Sequence, residues 1–378
     1  MEMLSRSEQI RYSRHLLLDQ VGEAGQSKLK SSSVLVIGAG GLGSPVLQYL
    51  AAAGVGRLGV LDFDVVDLSN LQRQVIHSTD SVGSKKTDSA KLFLQNLNSE
   101  IKIETFSARL DALNALSILS GFDVIVDGTD NFQTRYLVND ACVMLGKPLV
   151  YGAVSRFDGQ VSVFNFQDGP CYRCLFPEPP KDGLIGNCSE LGVLGVLPGI
   201  IGSMQALETL KILLGIGTSL SGRLVIFDGL SMSMDEIRIK KSVNCPVCGK
   251  NPSIIHLTEE QVACEIPSDH RNLIPEMVKF RLNENPGILL LDVREPEEVA
   301  ISRIPKSVHI PLKTLNLEGI GKKAPKDLSI IVYCKSGVRS RKAMNYLLSE
   351  GYPNVCHLEG GLLAWRLAGF PIESGEKV

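Results

Sequence analysis

A glycine-rich turn that follows a short apolar run constrains the fold of this chain more than any other feature. The run Val34–Ile37 leads directly into the six-residue sequence from Gly38 to Gly43. Gly38 permits a tight turn, Gly40 allows an anion to approach the backbone, and Gly43 allows a following helix to pack closely on the strand. The N-terminus of that helix offers unpaired N–H groups to an anion. The pattern therefore predicts the first half of a nucleotide-binding βαβ unit, although a plain tight turn would also give such a glycine pattern.

A second apolar strand, Gly59–Leu61, ends in an acid. Asp62 lies where a Rossmann-type unit holds a ribose hydroxyl, about 20 residues beyond the first glycine. Asp64 and Asp67 follow closely, so the choice among the three carboxylates stays open. A turn or helix-cap aspartate is the alternative interpretation of each.

Cationic and acidic residues follow the successive strand ends. Arg73 comes after the second strand, Lys86 begins a helical pattern, and Asp130 follows an apolar strand that ends near Asp127. Arg73 and Lys86 would neutralise a triphosphate, and Asp130 would hold Mg²⁺ and leave the α-phosphate open to attack. Each residue alone would be an ordinary surface charge. Their joint placement after strand ends indicates one site, because parallel strands end at the same edge of a sheet.

Length and composition exclude several classes of protein. The 378 residues predict two domains, and a formal net charge of −2 argues against a nucleic-acid partner. The N-terminal residues 1–9 have no apolar core of signal-peptide length, which predicts a cytoplasmic protein. The apolar stretch Leu191–Met204 is too short for a bilayer and is interrupted by glycine and proline, so we expect a buried segment and no membrane association.

Four of the nine cysteines form two Cys-x-x-Cys pairs, Cys171 with Cys174 and Cys245 with Cys248. Each pair can supply two corners of a tetrahedral Zn²⁺ site, and Gly249 would let backbone N–H groups turn toward the sulfurs. A redox Cys-x-x-Cys is the alternative. Two pairs with no vacant ligand position favour a structural zinc.

The first two thirds of the chain resemble the MoeB/ThiF superfamily, the bacterial relatives of ubiquitin-activating enzymes. The resemblance covers about residues 5–250 and rests on Arg11–His15, Gly22–Lys30, Gly38–Ser44, Asp62, Ser69–Gln74, Lys86 and Asp127–Asn131. It implies an enzyme that binds ATP and Mg²⁺ and adenylylates the C-terminal glycine of a ubiquitin-like protein that ends in Gly-Gly. The ATP site implied by the resemblance consists of Gly41, Asp62, Asn70, Arg73, Lys86, Asp130 and Asn131.

The resemblance also implies a homodimer, in which Arg14 reaches into the site of the second protomer. In relatives, a cysteine at the position of Cys188 can accept the activated acyl group as a thioester. Cys188 follows a polar, turn-rich segment at 178–183, which predicts a mobile loop over a site. A plain thiol remains the alternative for this cysteine.

A second domain follows residues 250–270, where sustained periodicity is lost. Two apolar runs, 287–294 and 329–333, read as buried parallel strands. The second run ends in the loop Cys334–Ser340, and a helical pattern covers 341–348. Backbone N–H groups, the helix dipole and Arg339 would all favour the thiolate of Cys334.

This loop resembles that of the rhodanese sulfurtransferases, as do Leu291–Pro296, Ile304-Pro305, Leu358–Gly361 and Trp365. Related phosphatases place five residues between the cysteine and the arginine, whereas four separate Cys334 from Arg339. The smaller loop suits a persulfide. Ser302-Arg303 and Val299 depart from the usual pattern at positions that support the fold.

We therefore predict an α/β protein: a Rossmann-like adenylyltransferase domain with a structural zinc at 1–255, a linker at 256–267, and a smaller rhodanese domain at 268–378. The fusion resembles molybdopterin-synthase adenylyltransferase/sulfurtransferases. By that resemblance, the first domain activates a ubiquitin-like sulfur carrier and the second supplies sulfur from a persulfide donor such as a cysteine desulfurase. Molybdopterin, thiamine, cysteine and tRNA thiolation remain open as pathways. The alternative is a nucleotide- or NAD-binding scaffold joined to a separate sulfurtransferase.

Overall fold

The computed structural model describes residues 3–179, 192–257, 271–285, 287–315 and 328–374. The chain divides into two compact units, residues 1–264 and 265–378. Cys188, and the predicted linker from residue 258 onward, lie outside the described residues. The two units are described separately below.

The first unit alternates helices with strands. Its described helices are α1 (Arg6–Arg11), α2 (Ser13–Leu16), α3 (Gly22–Ser31), α4 (Gly43–Ala53), α5 (Lys86–Leu97), α6 (Ala115–Ser120), α7 (Phe132–Leu145), α8 (Tyr172–Leu175) and α9 (Val196–Leu214). Its described strands are β1 (Ser33–Ile37), β2 (Arg57–Leu61), β3 (Lys102–Phe106), β4 (Val124–Asp127), β5 (Leu149–Ser155), β6 (Asp158–Phe164), β7 (Arg223–Asp228) and β8 (Ser233–Arg238). The predicted α/β class is confirmed.

One sheet organises this unit. Among the described residues it has eight strands in the order β3-β2-β1-β4-β5-β6-β7-β8. Strands β3 to β5 in that order are parallel, and β6, β7 and β8 add on antiparallel. The chain leaves β1 toward β2 on one side and returns to β4 on the other. The carboxyl ends of β1 and β4 therefore flank a topological switch point, where ligands bind in open α/β sheets.

The apolar sequence of β1 follows from burial on both faces of the sheet. Val34 and Val36 belong to the core on one face, whereas Leu35 and Ile37 belong to the core on the other. Each of the four side chains is at most 1% exposed. A strand covered on both sides reads as an unbroken apolar run because neither face meets water.

The helix Val196–Leu214 is long and apolar enough to cross a membrane by length and composition. It packs against α4, β5 and β6, and Gln205 and Thr209 in its middle are fully buried. Core packing accounts for the apolar composition of this helix. Of the apolar stretch that the sequence predicted to be buried, residues 197–204 are buried or half-buried in this helix, but Leu194 and Val196 are 54% and 59% exposed, so the prediction is wrong at its described N-terminal end.

A buried ion pair ties α7 to α8. The Arg173 guanidinium donates to both carboxylate oxygens of Asp140, at 2.8 and 2.7 Å, and both side chains are nearly inaccessible to solvent. The guanidinium also lies 4.6 Å from the centroid of the Tyr136 ring. The neighbouring Tyr172 N–H donates to the Asn139 side chain at 2.7 Å. Helix α8 is thereby fixed to the middle of α7.

The second unit is a smaller α/β layer structure. Its described strands are β9 (Asn272–Leu273), β10 (Leu289–Asp292), β11 (Val308–His309), β12 (Ile330–Tyr333) and β13 (Val355–Leu358), and its described helices are α10 (Pro275–Glu284), α11 (Pro296–Ile301), α12 (Val338–Ser349) and α13 (Gly361–Leu367). The described strands pair in parallel in the order β11-β10-β12-β13-β9. Trp365 lies in the core on one face of this sheet and is 2% exposed.

Helix α12 begins at Val338, three residues before the helical pattern at 341–348 that the sequence predicts. Its N-cap is Gly337, which has a φ of 95°. This left-handed conformation is readily available to glycine, so the chain turns from β12 into the helix within a few residues. Arg339 consequently lies in the first turn of the helix.

We expect Arg173→Leu to lower the free energy of unfolding of the first unit by about 3–5 kcal/mol, because Asp140 would stay buried without its counterion. The double variant Arg173→Leu/Asp140→Leu removes both charges and should recover most of the loss. Urea unfolding followed by circular dichroism measures the change. Fluorescence of Trp365, the one tryptophan, reports the second unit separately. A single variant as stable as the parent would contradict the expectation.

Candidate functional site

An open cleft lies at the switch point of the large sheet, and its empty space, counted together with the open solvent at its mouth, is about 930 Å³. It is bounded by the segments that follow β1, β2 and β4. The lining residues are Ile37, Gly38, Gly40, Gly41, Leu42, Leu61, Asp62, Phe63, Asp64, Arg73, Gln74, Lys86, Arg109, Leu110, Gly128, Thr129, Asp130, Asn131, Thr134, Val154, Val193 and Pro198. The structure thus brings together most of the residues that the sequence predicted for a nucleotide site.

Three glycines pack backbone to backbone at the base of this cleft. Gly38 has a φ of 93°. A Cβ at Gly38 would lie 2.9 Å from the Gly128 carbonyl oxygen, and a Cβ at Gly43 would overlap the Gly38 carbonyl oxygen. Gly43 therefore acts through packing beneath the turn, as predicted. Gly128 was missed as a packing residue, because its partner is 90 positions away in the sequence.

Asp62 and His77 hold the glycine turn from two sides. One carboxylate oxygen of Asp62 accepts the Ala39 N–H at 2.8 Å, and the other accepts the Asp64 N–H at 2.8 Å. His77 Nε2 lies 2.9 Å from the Ala39 carbonyl oxygen, and its Nδ1 lies 2.9 Å from Ser89 Oγ. Burial lowers the pKa of His77, which favours the neutral ring. A carbonyl oxygen can only accept, so Nε2 donates and Nδ1 accepts from the Ser89 hydroxyl.

Three cationic side chains line the cleft. Lys86 is buried and pairs with Asp64 at 2.8 Å. Arg73 donates to the Ser69 carbonyl oxygen at 3.2 Å, which orients its guanidinium along the cleft-lining turn. Arg109 was not predicted from the sequence, although it follows β3 as Arg73 follows β2. Three cations in one cleft provide an environment for a polyanion.

The loop after β4 presents Asp130 to the cleft. Asp127 is buried and accepts from the N–H and the hydroxyl of Thr129, at 2.9 and 2.6 Å. Arg135 on α7 donates to the Thr129 carbonyl oxygen at 3.2 Å and lies 3.4 Å from Asp127. Asn131 caps α7 by accepting the Thr134 N–H. The loop is therefore held on both sides, and Asp130 is exposed between these contacts.

Three described residues that were predicted for the nucleotide site, Gly43, Asn70 and Arg14, do not line the cleft. Asn70 ends a short 3-10 helix, Leu68–Asn70, just before Arg73. Arg14 is exposed on α2, which leaves its predicted role in a second protomer open. Cys188 lies outside the described residues.

The four predicted zinc ligands come together. The Sγ atoms of Cys171, Cys174, Cys245 and Cys248 all lie within 4.8 Å of one another, the one such His, Cys, Asp and Glu cluster in the described ranges. Cys171 is 3.5 Å from Cys245, and Cys174 is 3.3 Å from Cys248. A tetrahedron with Zn–S bonds of about 2.3 Å has edges of about 3.8 Å. The Cys171–Cys174 separation of 3.9 Å is close to that edge, and the other two separations are somewhat shorter.

The cluster is reduced, and its nearest Sγ atoms lie well beyond the disulfide bond length of about 2.05 Å. The Ser242 N–H lies 3.3 Å from Cys174 Sγ, a donor that the sequence did not predict. The Gly249 N–H instead donates to the Cys245 carbonyl oxygen at 3.1 Å, so this glycine tightens the turn of the pair. The donor set and spacing fit a tetrahedral metal ion.

Cys334 lies at the end of β12 in the second unit and is 1% exposed. The Gly337 N–H approaches its Sγ at 3.2 Å. Arg339 forms a two-pronged ion pair with Glu298, at 2.6 and 2.8 Å. The sequence predicted Arg339 beside the cysteine but not its carboxylate partner, which comes from another helix.

Comparison with known proteins supports both family resemblances that the motifs predict. A model of the ThiF family matches residues 12–247, and a model of the rhodanese-like domain matches residues 275–368. "Adenylyltransferase and sulfurtransferase MOCS3" of Culex quinquefasciatus is 42% identical over 96% of this chain and 88% of its own length. "Probable adenylyltransferase/sulfurtransferase MoeZ" of Mycobacterium tuberculosis is 43% identical over 96% of this chain and 94% of its own length.

The fold is also similar to solved structures. The crystal structure of Escherichia coli MccB with ATP has a TM-score of 0.56, is 23% identical, and covers 63% of this chain and 74% of that one. The resemblances predicted from the motifs are therefore confirmed. The chain belongs to the ThiF family and carries a C-terminal rhodanese-like domain.

Proposed function

We propose that this protein is an adenylyltransferase and sulfurtransferase that converts the C-terminal glycine of a ubiquitin-like sulfur carrier into a thiocarboxylate. One chain carries two sites that suit these two reactions, and this observation supports the proposal most strongly. The first site is the cation-lined cleft at the switch point, and the second is the Cys334 loop, in which a backbone N–H approaches the sulfur. Relatives that match 96% of this chain are named for both activities. The alternative, a nucleotide-binding scaffold joined to a separate sulfurtransferase, would carry the same second site, and ATP–pyrophosphate exchange distinguishes it from the proposed enzyme.

The first half-reaction takes place in the cleft with ATP. The open backbone at Gly40 and Gly41 receives the phosphates, and Arg73, Lys86 and Arg109 offset their charge. We assign Asp62 to the ribose; its carboxylate lines the cleft and is held in one orientation by the Ala39 N–H, which supports this role. The carrier carboxylate attacks the α-phosphorus, and pyrophosphate leaves toward the cations.

Asp130 is our candidate for a Mg²⁺ ligand. It is exposed at the cleft, and no ion pair of its carboxylate is recorded among the described residues, whereas Asp64 is paired with Lys86. A bound Mg²⁺ would supply charge neutralisation and orient the phosphates. Arg135 and Asp127 hold the loop and so position the Asp130 carboxylate.

The second half-reaction uses the Cys334 thiol. A persulfide donor, for which a cysteine desulfurase is our candidate, loads Cys334 with one sulfur. The terminal sulfur then displaces AMP from the carrier, and a thiol must cleave the sulfur–sulfur bond to release the thiocarboxylate. Cys188 remains a candidate to accept the acyl group as a thioester. We further propose a homodimer in which Arg14 completes the neighbouring cleft, and a cytoplasmic protein without nucleic-acid or membrane partners.

Asp130→Ala should lower carrier-dependent ATP–pyrophosphate exchange about 100-fold or more, because the metal would lose its carboxylate. Asp19→Ala removes an exposed carboxylate outside the cleft and serves as the matched control. Exchange that is undiminished in Asp130→Ala would refute the assignment of this residue. No exchange in the parent protein would favour the scaffold.

Cys245→Ser should remove about one zinc per chain and lower the melting temperature of the first unit, because the site joins segments that are 74 residues apart in the sequence. The control Cys356→Ser, in the second unit, should keep the metal. Metal content by mass spectrometry and melting by circular dichroism test the proposal. A metal-free protein with the parent's melting temperature would contradict it.

Cys334→Ala should leave carrier adenylylation intact but abolish thiosulfate sulfurtransferase activity and carrier thiocarboxylate. Cys188→Ala should keep adenylylation and persulfide loading, and at most slow transfer to the carrier. The carrier mass after incubation with ATP and a protein-bound persulfide donor measures both variants. Thiocarboxylate made by Cys334→Ala would assign sulfur transfer to another thiol.

A further inference from the structure

The carboxylate of the Arg339–Glu298 ion pair is held in place by contacts within its own helix. Glu298 lies in the first turn of Pro296–Ile301, and its Oε2 accepts the Glu295 N–H at 3.2 Å in a capping box. The Glu298 carbonyl oxygen accepts from Arg294 at 3.2 Å. Contacts that do not involve Arg339 therefore hold both the side chain and the backbone of Glu298.

The partner of Glu298 is the arginine that ends the cysteine loop. Both terminal nitrogens of Arg339 bind the two carboxylate oxygens, at 2.6 and 2.8 Å. The hydrogen bonds that Arg339 donates to the Glu298 carboxylate raise the pKa of Arg339, and the charges of Cys334 and Glu295 add to this rise. The described loop carries two cations, the exposed Lys335 and Arg339, and Arg339 is thus already neutralised by a carboxylate.

The pair is also accessible from solvent, since the Arg339 and Glu298 side chains are 30% and 28% exposed. An incoming donor that approaches Arg339 therefore also approaches the Glu298 carboxylate. Repulsion from that carboxylate grows with the negative charge of the donor, so a dianion is opposed about twice as strongly as a monoanion.

We propose that Glu298 selects the class of sulfur donor: it opposes the thiosulfate dianion and leaves a cysteine-type persulfide, which is neutral or singly charged at its sulfur, as the favoured donor. This inference rests on the proposed sulfurtransferase function of Cys334. It assigns a specificity role to a side chain that does not itself touch the reacting sulfur.

Both donors transfer one sulfur without an external oxidant or reductant. With thiosulfate, the Cys334 thiolate bonds to the outer sulfur, the S–S bond breaks, and sulfite leaves with the electron pair. With a persulfide, the same thiolate bonds to the outer sulfur, and the donor thiolate leaves with the electron pair. The two reactions differ in the charge that must enter the loop, which is where Glu298 acts.

The test compares Glu298→Gln with Glu297→Gln in the full chain. Glu297 is an exposed carboxylate on the same helix and controls for the general loss of one negative charge. Thiocyanate release from cyanide is measured with thiosulfate and, separately, with cysteamine persulfide. Glu298→Gln should raise kcat/KM for thiosulfate about five-fold through a lower KM, as expected for unmasking one cation near a surface. The value for cysteamine persulfide should change less than two-fold.

Two further variants separate charge from structure. Glu298→Asp keeps the charge and should retain the parent's preference, even if the helix shifts slightly. The double variant Glu298→Gln/Arg339→Gln should lose the rise in kcat/KM for thiosulfate that Glu298→Gln alone shows. The gain should also shrink at high salt, because exposed charges are screened.

A thiosulfate KM that stays the same or rises in Glu298→Gln would overturn the proposal and make Glu298 a residue that only positions Arg339. Equal gains with both donors would overturn it as well. Failure of the proposed function is distinguishable, since the parent protein would then release no thiocyanate from either donor.

Discussion

The backbone contact between the turn after β1 and the end of β4 is the constraint on which the nucleotide cleft depends. A Cβ at Gly128 would lie 3.0 Å from the Ile37 carbonyl oxygen and 3.2 Å from the Gly43 nitrogen. Side chains at these positions would push the two strand ends apart. With glycine, the ends approach closely enough for one ligand to meet the glycine turn and the Asp130 loop together. The same packing places the N-terminus of α4 at the base of the cleft.

Helix α7 connects this cleft with the four-cysteine cluster. Its N-terminus is capped by Asn131, directly after Asp130, and its middle is held by the contacts of Asn139 and Asp140 with the segment between Cys171 and Cys174. Arg135 on the same helix lies 5.0 Å from the centroid of the Tyr151 ring, which in turn lies 5.4 Å from that of Tyr172. A metal at the cysteines would therefore stabilise the helix that carries the Asp130 loop, without taking part in chemistry.

Charge pairing shapes both sites in a similar way. Lys86 is matched by Asp64 in the cleft, and Arg339 is matched by Glu298 beside Cys334. Neither cation acts on its ligand as an isolated charge. A polyanion such as ATP can still be held, because Arg73 and Arg109 also line the cleft. The described loop at Cys334 has two cations, the exposed Lys335 and Arg339, and the pairing with Glu298 neutralises the second of them.

Much of this protein could be predicted from local sequence. The glycine turn, the apolar strands, the two cysteine pairs and the Cys334 loop each depend on residues that are close together in the chain, and the family resemblance that they carry is confirmed. The cleft-lining positions of Asp62, Arg73, Lys86 and Asp130 follow from the rule that parallel strands end at one edge. The roles of the individual site residues stay predictions.

Contacts between distant segments could not be predicted in this way. Gly128 against Gly38, His77 beneath Ala39, Arg109 in the cleft and Glu298 on Arg339 have no periodic or motif signal that links the partners. The sequence by itself determined which chemical groups are present and at which strand ends they lie. Only the tertiary structure decided which of them touch and which charges are neutralised, because side-chain pairing depends on distances that arise when separate elements pack together.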